Sequence, residues 1–262
     1  MINRYADILE IITKNQRIEV TALAAQLAVS TVTIRKELAA LEEQGIIRRE
    51  HGYAVIGSVD DVGRRMAYHY EIKRRIAQAA VETIQDGEVV MIESGSCCAF
   101  LAEEIAKCRR DITVITNSTF IANHIRHAPH LKIVILGGDY QTESQVLVGP
   151  VTRKCVEGFF TDKLFIGIDG FTEQFGFTSK DHLRAETAQA MIKQVQQLIV
   201  LAESEKFLHH GVVELVRTKD VSLLFTDDNI PAEKEAVLRE NKVQVYKVPA
   251  TLKGGNGMKP GT

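Results

Sequence analysis

Over residues 1–56 apolar positions recur at helical spacing and then give way to short alternating runs. Tyr5, Ile8, Leu9 and Ile12 form a stripe that predicts a helix over about 3–14. Leu23, Ala24 and Leu27 mark the inner face of a second helix, with Thr21 as its candidate cap. Ala28-Val29-Ser30 reads as a turn. Ile34, Leu38 and Leu41, spaced i, i+4, i+7, predict a third helix capped by Ser30 or Thr31 and running to about Gln44, where Gly45 can close it. Thr31, Thr33, Arg35 and Lys36 fall largely off that stripe. The stretch Ile46–Ile56 predicts two short strands around a turn at His51-Gly52.

Residues 57–72 carry no clean period and contain Gly57, Ser58, Asp60, Asp61 and Gly63, the composition of a linker. From Lys73 the pattern changes. Ile76, Ala79, Ala80 and Ile84 predict a helix over about 73–85, and Asp86-Gly87 turns into a strand at Val89–Ile92. Further apolar runs follow at Ile112–Ile115, Ile133–Leu136, Lys163–Ile168, Gln197–Leu201, Ser222–Phe225 and Val243–Val248, several separated by helical stretches. Such alternation predicts a mostly parallel, helix-covered sheet and an α/β fold class. The expected organisation is a small helical unit at 1–56, a linker at 57–72, a large α/β unit at 73–250 and a tail at 251–262. The tail is rich in glycine, has nothing to bury and is expected to be disordered.

Two helices, a tight turn, a third helix with a basic-polar outer face and a following hairpin are the plan of a winged helix-turn-helix. In that plan Arg35 and Lys36 reach guanine edges or phosphates, Thr31 and Thr33 touch thymine methyls or phosphates, and Ser30 stands at the helix start. Arg48, Arg49 and His51 of the hairpin lie along the DNA backbone. The competing reading is a packed accessory domain whose charges are merely solvated.

Charge sharpens that choice. The 262 residues hold 32 Lys+Arg against 34 Asp+Glu, a net charge of -2, which excludes a polybasic DNA-coating protein. Residues 1–56 balance seven basic against seven acidic residues. DNA affinity must therefore come from where the basic side chains sit, and pairing of two heads in a homo-oligomer would multiply it. No apolar run of eighteen residues occurs and no signal-like segment opens the chain. The four cysteines, Cys97, Cys98, Cys108 and Cys155, form no CxxC pair, so free thiols in a cytoplasmic protein are expected.

In the large unit, small and polar residues follow successive predicted strands. Gly95, Ser96 and Cys97 come after Val89–Ile92 and open a helix, where backbone N–H groups can cradle an anion. Thr116 and Asn117 follow Ile112–Ile115, and Gly138 follows Ile133–Leu136. Gathered at one sheet edge, these turns would form the ligand crevice of an open α/β sheet; each alone is ordinary loop chemistry. Two other constellations lead elsewhere. His124, His127 and His130 are spaced by three, but Pro129 interrupts their helix and no carboxylate is spaced with them, so no metal is expected. Cys97-Cys98 at a helix start invites a redox reading, against which stands the absence of a base or resolving cysteine at recognisable spacing.

The stretch Leu23-Ala24…Leu27…Val29-Ser30…Thr33-Ile34-Arg35…Leu38…Leu41-Glu42…Gly45…Arg48-Arg49…His51-Gly52…Ala54-Val55 resembles the DeoR family of bacterial transcriptional regulators. Lys36-Glu37 stands where that family usually has a basic residue followed by Asp, and Tyr53 stands at the second glycine of its His-Gly-Gly-Ala wing, which leaves operator preference open. The resemblance extends to about residue 250 through Ile166-Gly167-Ile168-Asp169-Gly170, Gly176-Phe177-Thr178 and Glu203-Ser204-Glu205-Lys206-Phe207. It implies an effector domain related to ribose-5-phosphate isomerase that senses phosphorylated sugars. By that resemblance Gly95, Ser96, Cys97, Thr116, Asn117 and Gly138 line the phosphate end, and Asp169 and Lys206 the polar end. The isomerases' Asp-Gly-Ala-Asp is replaced by Asp169-Gly170-Phe171-Thr172, and Glu186 stands near the general base in a loop that does not align securely. The expectation is binding without turnover and no cofactor: a repressor of carbohydrate-use genes, acting on double-stranded operator DNA as a homo-oligomer. The alternative is a sugar-phosphate isomerase or deaminase with an accessory helical domain.

Overall fold

A computed structural model describes residues 4–251; the tail expected at 251–262 lies outside the described residues except for Thr251, an exposed bend. The head contains α1 (Tyr5–Asn15), β1 (Arg17–Glu19), α2 (Val20–Gln26), α3 (Thr31–Glu43), β2 (Arg48–Glu50) and β3 (Tyr53–Val55). The three helical stripes bury Ile8, Leu9, Ile12, Leu23, Ile34, Leu38 and Leu41, so period alone located the core. Ser30 is the cap of α3: its Oγ accepts from Thr33 N at 3.1 Å. Thr21, by contrast, is not a cap. Helix α2 starts two residues earlier, directly after β1, with Glu19 at its N-cap and Thr21 exposed. Strand β1 is an addition to the expected hairpin, since the head sheet has the order β1-β3-β2 with Ile18 opposite Ala54. Three residues alternating exposed, buried, exposed are too short to carry a period.

The stretch read as a linker is partly ordered helix. Asp61 caps α4 (Val62–Ala67) by accepting from Arg64 N. Val62, Met66, Ala67 and Tyr70 are buried in the same apolar cluster as the head's Ile8 and Leu9. Tyr70 stacks edge-on between Tyr5 of the head and Phe100 of the large unit, with ring centroids 6.5 and 5.3 Å away. Six residues give less than two turns, which hides their periodicity from a sequence window.

The large unit runs α5 (Tyr70–Val81), β4 (Val89–Ile92), α6 (Ser96–Cys108), β5 (Thr113–Thr116), α7 (Thr119–Ile125), β6 (Lys132–Ile135), β7 (Asp139–Gln141), β8 (Val146–Val148), α8 (Gly149–Val156) and β9 (Thr161–Ile166). It continues with β10 (Gly170–Thr172), β11 (Gly176–Ser179), α9 (His182–Ile192), β12 (Val195–Leu201), a 3-10 turn at Ser204–Leu208, β13 (Val213–Val216), β14 (Leu223–Asp227), α10 (Ala232–Glu240) and β15 (Gln244–Val248). Seven strands form one sheet in the order β15-β14-β12-β9-β4-β5-β6, with every neighbouring pair parallel. This is the predicted α/β class. Both faces are covered: Val90, Ile92 and Phe165 point into one apolar cluster, Met91, Leu164 and Ile166 into the other. The hairpin β7-β8 and the antiparallel β10-β11-β13 sheet escape the sequence pattern: β8 has only three residues, and β7, β10, β11 and β13 lack the apolar run that marks β4–β6.

Strand order fixes where a ligand can sit. From β4 the chain moves outward to β5 and β6, returns to the opposite flank of β4 as β9, and continues to β12, β14 and β15. The reversal falls between β4 and β9, where the loops leaving the two carboxyl ends diverge and open a crevice.

Candidate ligand site and nucleic-acid interface

At the head, the exposed side of α3 carries Thr31, Arg35 and Lys36, with Thr33 half-buried and hydrogen-bonded through its Oγ1 to Ser30 Oγ at 2.9 Å. Ser30 and Thr33 thus hold each other and the helix start. Val32, unremarked by the sequence pattern, is 76% exposed in the first turn of α3. An apolar branched side chain there is suited to a thymine methyl group. In the wing, Arg48 and His51 are exposed, and His51 has a positive φ of 46° in the turn. Arg49 is different. Its Nε donates to Glu42 Oε2 at 2.6 Å and its backbone N to Glu42 Oε1 at 2.9 Å, so it ties the wing to α3. Arg4 is likewise held by Glu37 at 2.6 Å. Those pairings use up acidic charge: Arg35, Lys36 and Arg48 take part in no ion pair among the described residues.

In the large unit a cavity of about 530 Å³ opens at the β4/β9 reversal. Its floor is Glu93-Ser94-Gly95 after β4, Gly167-Ile168-Asp169 after β9 and Glu203 after β12. Gly95 and Gly167 are required by close approach, because a Cβ on Gly95 would lie 2.9 Å from Gly167 Cα. With glycine at its N-cap, α6 receives no side-chain cap, and its first residues Ser96 and Cys97 line the cavity at the positive end of a 13-residue helix. Glu93 accepts from Ser94 Oγ at 2.6 Å, and Asp169 from Lys180 N at 2.8 Å and Ser179 Oγ at 3.2 Å, which fixes both carboxylates.

Behind Glu203 lies a buried ion cluster. Lys73, 2% exposed, sets its Nζ 3.4 Å from Glu203 Oε1, and Lys206 sets its own at 3.9 Å from the same atom. Burial alone would raise the Glu203 pKa, but the two lysines overcome it and hold the carboxyl below its usual value. Lys73 Nζ also donates to Tyr68 O at 2.7 Å and to Arg65 O. Asp60, Arg64 and Arg65 of the connecting segment and Thr13 of α1 complete the wall, and Arg184 of α9 pairs with Asp60 at 2.9 Å. Six basic and four acidic side chains line the cavity. A surplus of positive charge beside fixed carboxylates suits a ligand with an anionic group and several hydroxyls.

Of the expected effector residues, Gly95, Ser96, Cys97, Asp169 and Lys206 line this cavity; Thr116, Asn117 and Gly138 do not. Thr116 is buried and its Oγ1 accepts from Ser118 N at 3.1 Å. Asn117 Nδ2 donates to Leu147 O at 3.1 Å, anchoring β8, and Gly138 packs on Thr152 and the Val148 carbonyl. The reason is topological: the reversal lies between β4 and β9, whereas these residues follow β5 and β6. Arg64, Arg65, Lys73, Glu93, Arg184 and Glu203 were absent from the expected set. The basic pair Arg64-Arg65 beside Met66-Ala67 was a visible signal; a buried lysine in the middle of an amphipathic helix leaves none.

Glu186 stands away from the cavity, paired with Arg153 and with His182 at 3.4 Å. The histidines have separate partners: His124 faces Glu103 at 3.6 Å, while His130 faces Arg110 and the Ala106 carbonyl. Among the described residues no group of three or more His, Cys, Asp or Glu is arranged to hold a metal. Burial pushes both Cys97 and Cys98 thiols up, the negative charges of Glu203 and Glu93 respectively adding to it, so neither is an activated thiolate. No helix among the described residues is long and apolar enough to cross a membrane.

Comparison with known proteins agrees with this architecture. Residues 4–59 match the DeoR-like helix-turn-helix domain, and residues 68–228 match the DeoR C terminal sensor domain. An Escherichia coli O157:H7 protein named for repression of the aga operon is 30% identical over 254 residues, covering 94% of this chain and 93% of its own. The glycerol-3-phosphate regulon repressor of Escherichia coli K12 is 25% identical over 245 residues, covering 92% and 97%. Ribose 5-phosphate isomerase A of Neisseria gonorrhoeae overlaps 52% of this chain and 53% of its own at a TM-score of 0.40 and 17% identity, too loosely to bear on function. The relatives are named as regulators rather than enzymes, and with both domains matched in order the chain belongs to the DeoR family of transcriptional regulators.

Proposed function

We propose that this chain is a cytoplasmic repressor of carbohydrate-use genes whose grip on operator DNA is modulated by a phosphorylated sugar. Residues 1–56 act as the DNA-binding head and residues 73–250 as the effector domain, with 57–72 coupling them. Ser30, Thr31, Thr33, Arg35, Lys36, Arg48, Arg49 and His51 form the DNA side, Ser30 and Arg49 by positioning and the exposed residues by contact. Gly95, Ser96, Cys97, Asp169 and Lys206 form the core of the effector side. The observation that carries the reading is the cavity at the β4/β9 reversal, with its surplus of positive charge, its uncapped helix start and its fixed carboxylates. One relative's name, a glycerol-3-phosphate regulon repressor, is in keeping with a phosphorylated ligand.

Two heads acting together in a homo-oligomer would bind half-sites about 34 Å apart, or multiples of that distance. The ligand shifts the DNA-binding equilibrium only by its differential affinity for the two states. The test is a thermal-shift screen of the full chain against phosphorylated sugars and their unphosphorylated counterparts. A ligand at about 100 times its dissociation constant stabilises by roughly 2.7 kcal/mol. If no phosphorylated compound raises the melting temperature above its unphosphorylated partner, the effector reading fails.

A further inference from the structure

Residues 60–67 lie between the two matched family regions, which end at 59 and resume at 68. Yet Asp60, Arg64 and Arg65 from that interval form a wall of the cavity. The Nε and Nη2 atoms of Arg65 are shielded from solvent and have no hydrogen-bond partner. Such a guanidinium is costly to leave unmatched, because desolvated N–H donors lose their water without replacement. Glu93, Asp60 and Asp169 lend it only longer-range attraction.

The same short helix touches the DNA-reading element. A Cβ on Gly63 would lie 2.8 Å from Ile46 O and closer still to Gly45 O, the two carbonyls of the turn that ends α3. One residue on, Arg64 and Arg65 face the cavity. The carboxyl end of α4 is gripped by Lys73 through the carbonyls of Arg65 and Tyr68, and Lys73 is tied to the Glu203 that also holds Lys206. Its amino end is latched to the sensor by the Asp60–Arg184 pair.

Building on the phosphorylated-sugar reading, we propose that Arg65 is the receptor for the ligand's anionic group and that α4, pressed against the end of α3, transmits occupancy to the recognition helix. A phosphate satisfies the orphaned donors of Arg65 with charge-assisted bonds. Any movement of Arg65 toward it is passed to Gly45 and Ile46, since no space separates Gly63 from them. The ligand is thus held between sensor and connecting helix rather than inside the sensor alone.

The experiment uses the full chain, a DNA fragment it selects from a random-sequence library, and a probe panel of ribose 5-phosphate, fructose 6-phosphate, glycerol 3-phosphate and inorganic phosphate. Calorimetry reads probe affinity and fluorescence anisotropy reads DNA release, for the parent, Arg65→Met and Arg65→Lys. The expectation is that Arg65→Met keeps DNA affinity within about twofold, weakens the best probe at least tenfold, and fails to release DNA even when that probe is saturating. Arg65→Lys, which keeps the charge but not the fork, recovers part of the probe affinity and also shows that the position tolerates change. If the parent binds a probe and Arg65→Met binds it equally well, the receptor role is overturned while the effector reading stands. If Arg65→Met, once saturated, releases DNA as fully as the parent, the transmission role is overturned. If no phosphorylated sugar, in this panel or in the wider thermal-shift screen, binds the parent, the effector reading fails and takes this inference with it.

Discussion

Arg49 gives its Nε to Glu42 at 2.6 Å, while Arg35, fourteen positions earlier on the exposed side of α3, has no ion pair among the described residues. The same side-chain chemistry thus ties the wing to α3 in one case and is left exposed and unpaired among the described residues in the other. Arg35→Ala is expected to lose about 1–3 kcal/mol of discrimination between the selected DNA and a fragment mutated at one position, with unchanged thermal stability. Competition binding with single-position variants of the fragment measures it, and equal discrimination by parent and variant would remove Arg35 from base readout. Residue type and helical spacing made Arg35 legible in the sequence. The commitment of Arg49 to Glu42 was not, because it depends on the wing folding back over the last turns of α3.

Helices α6 and α7 are joined by a polar contact whose energetics depend on pH. Burial pushes the Glu103 pKa up, but His124 of α7, 3.6 Å away, and Lys107 of α6, which donates to it at 2.6 Å, overcome it and hold the carboxyl at about 2. A folded-state value below the unfolded one contributes stability that is complete above the ordinary carboxylate range and fades as pH falls toward 2. Urea unfolding of the parent and Glu103→Gln should therefore differ most at about pH 5 and converge as pH drops toward about 2. A gap that stays constant over that window would mean that Glu103 gains nothing from its partners on folding. Elements as long as α6 were readable from the sequence because thirteen residues repeat a period several times. Strand β1, with three residues, and helix α4, with six, were not, and α4 is the element that joins head to cavity.

For the whole molecule, a net charge of -2 and an electrically balanced head leave DNA affinity to the placement of charge rather than to its excess. Glu37 and Glu42 pair with Arg4 and Arg49, while Arg35, Lys36 and Arg48 stay exposed and outside any ion pair among the described residues. If these three meet phosphates, the logarithm of the DNA association constant should fall with the logarithm of salt at a slope of roughly −3 per bound head. Arg48→Ala should reduce that slope by about 1 per head while weakening all DNA sequences alike. A variant with the parent's slope would take the wing off the backbone.

The sequence by itself determined the class of fold, the recognition helix and its cap, and five residues of the cavity lining, Gly95, Ser96, Cys97, Asp169 and Lys206. These rest on local physics: a period of 3.6 places Ile34, Leu38 and Leu41 inward, and buried parallel strands read as unbroken apolar runs. Tertiary structure alone decided which strand ends meet, since the order β9-β4-β5 depends on where the chain crosses back. That crossing gathered Gly95, Asp169 and Lys206 into one cavity and left Thr116, Asn117 and Gly138 outside it. It also drew Arg65, from a stretch without period, and Lys73, from a helix whose pattern does not mark it for burial, into the wall, because a contact between residues distant in sequence is set by packing, which no local pattern encodes.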